Sequence, residues 1–131
     1  MGSGNVDLVR QMFEAFAQGG FAAVGGFIDA EFEMRLMPGH PQGTTFRGPD
    51  AAKAMTDFMR SFEGFRAEAE SFIDAGGERV VVAVRERGRP RGGSVELDQR
   101  FGALYTLHDG KITRMEWFDS FEQALAAAGV E

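Results

Sequence analysis

The sequence predicts an α+β domain in which helices precede a meander of antiparallel strands. In the first half, apolar residues recur at steps of three and four, which is the spacing of a helix with one buried face. From Phe65 onward the spacing changes to about two, the period of a strand whose side chains alternate between two faces. Helices grouped before a run of strands are typical of the α+β layer arrangement.

The first half is predicted to hold, in chain order, helix 5–18, helix 21–28, strand 31–37 and helix 49–64. Asn5 is a favourable N-cap for the first helix, and Gly19 and Gly20 end it because glycine accepts the positive φ of a helix end. The second helix contains two glycines that each cost up to about 1 kcal/mol relative to alanine, so packing must hold it. Pro49 fits the first turn of the third helix, where its nitrogen needs no partner.

The second half is predicted to hold strands 65–74, 79–87, 95–107 and 111–118, followed by helix 121–128. Tight turns at 75–78 and 108–111 connect two pairs of these strands, and Asp109 with Gly110 is a strong turn signal. Several strands are apolar on both faces, as in the run from Val80 to Val84. One face must cover the helices, so the other is expected to form a cavity wall or an interface. We therefore expect a homodimer through the sheet.

Length and composition exclude several classes of protein. A chain of 131 residues with 44% hydrophobic and 26% charged residues suits one folded domain and not a disordered chain. The absence of cysteine excludes disulfides, thiolate nucleophiles and cysteine-based zinc sites. The two histidines, His40 and His108, are too few for a multi-histidine metal site. We expect neither a metal nor a cofactor.

Charge and hydropathy give expectations about partners and location. The net charge of −6 opposes sequence-independent binding to nucleic acid or to anionic membranes. The sequence contains no run of about 18 uncharged apolar residues, which is the length needed to span a bilayer. Residues 1–4 are interpreted as a flexible tail or cloning remnant, and residues 5–131 as a single domain. These features predict a cytoplasmic domain that binds neither nucleic acid nor membrane.

Five segments match a known fold in their order and spacing: 9–16 (VRQMFEAF), 46–48 (FRG), 72–84 (FIDAGGERVVVAV), 107–119 (LHDGKITRMEWFD) and 122–129 (EQALAAAG). Together they resemble the SnoaL-like branch of the nuclear transport factor 2-like superfamily. The resemblance implies a cone-shaped, curved antiparallel sheet wrapped around the N-terminal helices, with an internal apolar pocket. Members of this superfamily include cyclases, isomerases, hydrolases and non-catalytic binding domains, so the activity must be inferred from the site.

The last strand offers a candidate acid/base residue. Met115, Trp117 and Asp119 share one strand face, and the resemblance implies that this face lines the pocket. Asp119 resembles the acid/base aspartate of SnoaL-type cyclases. A carboxylate partly dehydrated beside a tryptophan and a methionine is expected to have a raised pKa, which makes it a better base near neutral pH. The structural alternative is that Asp119 caps the final helix.

The preceding strand offers polar groups that could assist Asp119. Its matching face carries Gln99, Phe101, Ala103 and Tyr105. Tyr105 could donate a hydrogen bond to a developing oxyanion, and Gln99 could orient a substrate carbonyl. In the structural alternative, Tyr105 fills the interior with its hydroxyl at the rim, and Gln99 has a structural role.

The remaining candidate pocket residues come from the helices, the first strand and a loop. Phe13, Phe16, Met55 and Met59 are core residues of the helices that could also line the pocket. Arg35 is either an anion clamp inside the pocket or a charge on a solvated face. His40 lies in a loop rich in proline and glycine, where it is either a second proton carrier at the pocket mouth or simply exposed.

Two specific activities of the superfamily fit the sequence less well. Ketosteroid isomerases use a tyrosine on the first helix and an aspartate on the first strand, and neither is present at the matching positions. Limonene-epoxide hydrolases use an Asp-Arg-Asp set, whereas Asp98 and Arg100 lie on the face assigned away from the pocket.

We expect a cofactor-free acid/base enzyme acting on a small hydrophobic carbonyl compound by cyclase- or isomerase-like proton transfer. The alternative is a non-catalytic small-molecule-binding or scaffold domain, or an engineered variant of this fold.

Overall fold

A computed structural model describes residues 2–36 and 45–130. The elements in chain order are α1 Gly2–Gly19, a 3₁₀ helix Phe21–Phe27, β1 Ile28–Arg35, β2 Thr45–Arg47, α2 Gly48–Arg60, β3 Phe62–Gly76, β4 Arg79–Pro90, β5 Leu97–His108, β6 Lys111–Phe118 and α3 Phe121–Ala127. The α+β order, with helices before a four-strand meander, is as predicted. The bounds of β6 are also as predicted.

The six strands form one mixed sheet in the order β2-β1-β6-β5-β4-β3. The meander from β3 to β6 is antiparallel throughout, as its tight turns require. One strand pair differs from the expected antiparallel sheet, because β1 pairs with β6 in parallel, with Met34 opposite Met115. This pairing joins residues about 80 positions apart, and no local pattern encodes the direction in which such distant strands meet.

Several N-terminal boundaries differ from the predicted ones. The first helix begins at Gly2, so Asn5 lies inside it and is not its N-cap. The segment after it is a 3₁₀ helix and not an α-helix, and the glycines Gly25 and Gly26 lie within it. The first strand begins at Ile28, three residues earlier than expected. The three-residue β2 was not predicted, because so short a strand shows no alternation of its own.

Gly64 lies inside β3 and does not end α2. The helix stops at Arg60, and β3 already begins at Phe62. The register of β3 against β4 shifts between Glu63 and Arg66, and Gly64 within this irregularity has a φ of 65°. A bulge with a left-handed backbone favours glycine, so the residue that suggests a helix end marks a bend in a strand.

The two predicted turns are present. Asp109 and Gly110 both have positive φ, 50° and 76°. Positive φ at both central residues is the conformation of the two-residue hairpin turn whose twist matches that of the flanking strands. The β3–β4 turn has the same character, because Gly77 and Glu78 have φ of 60° and 61°. These turns set the antiparallel register of the meander.

The two faces of the sheet are covered by different helices. The inner face packs against α1, α2 and the 3₁₀ helix, with Val9, Met34 and Val82 fully buried in that core. On the outer face, α3 covers Val81 and Leu104. Part of the second apolar face, which is expected from the sequence to be an interface or a cavity wall, is therefore covered by the chain itself. A homodimer through the sheet stays a prediction, without support from these residues.

Among the described residues, none of the helices combines the length and the apolar content that a membrane crossing requires.

Candidate functional site

A cavity of about 70 Å³ lies between the helices and the inner face of the sheet. From the helices, its lining includes Phe13, Phe16, Met55 and Met59. From the strands, it includes Phe101, Tyr105, Met115 and Trp117. The structure thus brings eight of the candidate residues together around one internal space, and the strand face implied by the resemblance is the one that faces inward.

Aromatic rings form much of the cavity wall. Phe13 meets both Phe72 and Tyr105 edge-on, with ring centroids 6.2 and 6.1 Å apart. The rings of Phe101 and Trp117 are 5.2 Å apart. Edge-to-face and tilted pairs at these distances stabilise one arrangement of the rings, so the wall is a shaped apolar surface.

The cavity also contains a buried carboxylate that the sequence analysis missed. Glu86 on β4 is 3% exposed and lines the cavity. It continues the inward face of Val82 and Val84, while the flanking Arg85 and Arg87 point to the opposite face. The alternation from Val80 to Val84, extended by one step, could have indicated an inward Glu86. The two adjacent arginines obscure it by making 85–87 look like a solvated segment.

The electrostatic surroundings of Glu86 favour its protonated form. Burial raises the pKa of this carboxyl, and a hydrogen bond from Gln99 Nε2 to Oε1 at 2.7 Å acts in the opposite direction. Neither flanking arginine neutralises it: Arg85 pairs with Asp98, and Arg87 pairs with Glu68. The net result is a raised pKa, which is the property expected of Asp119 from the sequence.

Gln99 and Ala103 do not line the cavity. The side-chain nitrogen of Gln99, itself an exposed residue, donates to Glu86. Gln99 therefore holds the acid and does not face a ligand carbonyl. Ala103 is fully buried in the inner core, where its methyl group packs without reaching the cavity.

Tyr105 and Glu86 lie at different ends of the inner face. Tyr105 is opposite Val80 on β4, and Gln99 is opposite Glu86, six residues further along that strand. Six residues correspond to roughly 20 Å of extended strand. Tyr105 lines the cavity, and burial raises the pKa of its hydroxyl far above the ordinary value. It therefore remains a neutral hydroxyl, six strand positions from the residue level with Glu86.

Asp119 lies outside the cavity, contrary to expectation. The strand β6 ends at Phe118, so the alternation that directs Met115 and Trp117 inward no longer applies at Asp119. Asp119 is exposed and borders a shallow surface hollow. Neither is it the N-cap of α3, because the Ser120 side chain accepts the hydrogen bond from Gln123 N at 3.1 Å.

Arg35 lies on the outer face, as in the solvated alternative. Its guanidinium pairs with Glu33 at 3.1 Å and approaches Glu116. Glu33 is nearly buried, and Arg114 and Arg47 approach it as well. Burial would raise the pKa of Glu33, but the three arginines outweigh it and lower that pKa. This cluster is structural and has no access to the cavity. His40 lies outside the described residues.

Among the described residues, the side chains lining the cavity offer too few ligand atoms to hold a metal ion. Its wall contributes one carboxylate and one phenol hydroxyl, whereas metal sites in proteins use three or more such ligands. Elsewhere within 2–36 and 45–130, no group of three histidine, aspartate or glutamate side chains is placed to hold one. The chemistry available to the cavity is apolar binding together with proton transfer at Glu86.

Solved structures share the fold. An NTF2-like protein of Burkholderia thailandensis superposes with a TM-score of 0.78 at 22% identity, covering 97% of this chain and 98% of that protein. TerC, co-crystallized with polyporic acid, gives a TM-score of 0.76 at 20% identity, covering 96% and 98% of the two chains. At these identities the comparison establishes the architecture only.

Sequence comparison gives the family. An uncharacterized protein of Mycobacterium tuberculosis is 31% identical over 115 residues, which are 87% of this chain and 87% of that one. The profile of the SnoaL-like domain matches residues 9–115, which include β1 to β5, most of β6 and the carboxylate of the cavity. The chain therefore belongs to the SnoaL-like domain family.

Proposed function

We propose that the protein is a cofactor-free acid/base enzyme that moves a proton on a small hydrophobic carbonyl compound, with Glu86 as the acid/base group. The observation that carries this proposal is a buried carboxylate in a largely apolar cavity, which accepts a hydrogen bond from the Gln99 amide and forms no ion pair with any of the described residues. Burial raises the pKa of this carboxyl, and a raised pKa makes its carboxylate form a stronger general base.

The proposed step is proton abstraction from a carbon adjacent to a carbonyl. Gln99 binds Oε1 of Glu86 and leaves Oε2 to accept the proton. The electron pair of the broken C–H bond becomes part of an enolate, whose oxygen takes the negative charge. Glu86 then returns the proton to a different atom of the ligand, and the carboxylate is regenerated. No electrons leave the ligand, so the step needs no oxidant or reductant.

Related proteins support the class of ligand. TerC was co-crystallized with polyporic acid. A protein of Jannaschia sp. with a TM-score of 0.68 and 19% identity is provisionally called a SnoaL-like polyketide cyclase. Both are consistent with an organic ligand in this fold, and neither identifies the substrate of this chain.

The direct test is hydrogen exchange at carbon. Small ketones are incubated with the protein in deuterated water, and loss of the signal of the proton next to the carbonyl is followed by NMR. We expect Glu86→Gln to slow the exchange by about 10²- to 10⁴-fold, the usual contribution of a general base. Asp119→Asn is the matched control and should exchange like wild type. Equal exchange by wild type and Glu86→Gln would overturn the proposal.

A non-catalytic binding domain is the second candidate. The observation that favours it is the composition of the cavity, whose described lining contributes one carboxylate, from Glu86, and one hydroxyl, from Tyr105, among many apolar side chains. Such a domain would bind apolar ligands without any exchange of their protons. Isothermal titration beside the exchange assay separates the two candidates, because binding with no exchange in wild type identifies the binding domain.

A further inference from the structure

A surface hollow of about 590 Å³, separate from the one beside Asp119, lies next to the cavity. It is formed where α1 ends, where α2 ends and where β3 begins. Phe16, Met59 and Phe65 line both spaces, so these three side chains form the wall between them. The rings of Phe16 and Phe65 meet edge-on at 6.5 Å. The inner cavity, at about 70 Å³, is small beside the 300–1,000 Å³ typical of ligand sites, whereas the hollow has that size.

The hollow is positively charged in a protein of net charge −6. Among the described residues that line it, Arg60 and Arg91 are ionisable and the others are apolar or neutral. Neither arginine forms an ion pair with a carboxylate of the described residues. Elsewhere most arginines do, as Arg85 with Asp98 and Arg100 with Glu70. A carboxylate entering this hollow would meet two positive charges that are not already neutralised.

Arg91 is held in position beside Arg60. Its Nε donates to the carbonyl oxygen of Arg60 at 2.6 Å, and its backbone N–H donates to the carbonyl of Ser61 at 2.9 Å. The terminal nitrogens of Arg91 form no hydrogen bond within the described chain. A guanidinium fixed by one nitrogen, with two others open, suits a carboxylate, because the geometry is prepared before the ligand arrives.

The hollow adjoins the acid end of the cavity. Phe65 lies two residues before Ala67, which pairs with Glu86 across β3 and β4, and both Phe65 and Ala67 line the cavity. Two residues correspond to about 7 Å of strand. A ligand anchored in the hollow could therefore extend past Phe65 and bring its apolar part close to Glu86.

We propose that the hollow is the outer subsite of the cavity and binds the carboxylate of an amphipathic organic acid, whose apolar part passes Phe16, Met59 and Phe65 to reach the cavity. This inference rests on the proposed function only for the chemistry at Glu86, because the binding of a carboxylate at the two arginines stands independently of it. The substrate class is thereby narrowed to small carbonyl compounds that carry a carboxylate some distance from the reacting carbon.

The test compares carboxylates with their neutral amides. Octanoate and 4-phenylbutyrate, and the corresponding amides, are titrated into wild type and into the double variant Arg60→Gln/Arg91→Gln by isothermal titration. Backbone amide shifts of Phe16 and Phe65 report the location. We expect both carboxylates to bind wild type more tightly than their amides, and the double variant to lose about tenfold or more of that affinity. Added salt should weaken carboxylate binding only.

Two controls keep the outcomes distinct. Arg66→Gln removes an exposed arginine of β3 outside the hollow and should bind both carboxylates like wild type. The second control is the exchange assay itself: if wild type and Glu86→Gln exchange equally, the proposed function fails, while tighter binding of carboxylates than of amides by wild type still supports the subsite. Carboxylates that bind no better than their amides, or that bind the double variant as tightly as wild type, would overturn the subsite.

Discussion

Gln99 on β5 lies directly opposite Glu86 on β4, and its side-chain N–H donates to Oε1 of Glu86 at 2.7 Å. This cross-strand bond compensates part of the cost of burying a carboxylate among aromatic and aliphatic side chains. The remaining cost stays as a raised pKa. A buried carboxyl with a raised pKa lowers the stability of the fold but is useful for proton transfer. Strongly shifted pKa values are for this reason common at functional sites.

The pH dependence of stability should reveal Glu86. Because its pKa is raised in the folded state, the folded protein retains the proton at pH values where the unfolded chain has lost it. The stabilisation is complete below the ordinary value of about 4.5 and disappears as pH rises through the raised pKa. In urea titrations across pH, Glu86→Gln should therefore gain stability relative to wild type as pH increases. Parallel curves for the two proteins would contradict the assignment.

Removing the amide of Gln99 should raise the pKa of Glu86 further. The hydrogen bond from Gln99 stabilises the charged carboxylate, so its loss favours the protonated form. In Gln99→Leu, which keeps the bulk of the side chain, the carbon-detected NMR titration of Glu86 should shift to higher pH. Gln18→Leu, an exposed glutamine on α1, provides the matched control and should leave the titration unchanged. A downward shift in Gln99→Leu would show that Gln99 does not stabilise the charge.

A methyl group at position 102 should displace α3. A Cβ on Gly102 would lie 2.5 Å from the carbonyl oxygen of Ser120 and 2.7 Å from Cβ of Ala124. Both contacts are too short, so the helix must move away from the outer face of the sheet. We expect Gly102→Ala to lower the free energy of unfolding by about 2–3 kcal/mol, which urea denaturation would measure. Gly25→Ala meets no atom within 4 Å and should be close to neutral. Equal stability of the two variants would contradict this account.

Glu33 should stabilise the fold at neutral pH and lose that effect in acid. Arg35, Arg114 and Arg47 surround it on the outer face and lower its pKa despite its burial. The unfolded chain therefore takes up this proton first, so the stabilisation is present above pH 4.5 and is lost as pH falls through the lowered pKa. Glu33→Gln should cost about 1–2 kcal/mol at pH 7, because the arginines are partly exposed and screened. The ion pair of Glu68 with Arg87, in which Glu68 is exposed, provides the control. Glu68→Gln should lower the free energy of unfolding clearly less than Glu33→Gln.

Local patterns predicted the elements that depend on few neighbours. The strand Lys111–Phe118 follows from its alternation, and the preceding hairpin follows from Asp109 and Gly110, because a turn of this type is encoded in two residues. The resemblance also indicated which face of β6 lines the cavity, and Met115 and Trp117 do so. The same alternation was extended one step too far at Asp119, because where a strand ends depends on its pairing partners.

The sequence by itself determined the fold class, the helical and strand periods, the tight turns and most of the apolar side chains around the cavity. Only the tertiary structure decided that β1 joins β6 in parallel, that α3 covers Val81 and Leu104, and that the acid in the cavity is Glu86. The physical reason is the distance along the chain over which the deciding interactions act. Helix and turn signals arise from contacts within a few residues, whereas the desolvation of a carboxylate depends on every element packed around it. Glu86 owes its raised pKa to burial in a cavity that it shares with residues far from it in the chain, such as Phe13 and Met55.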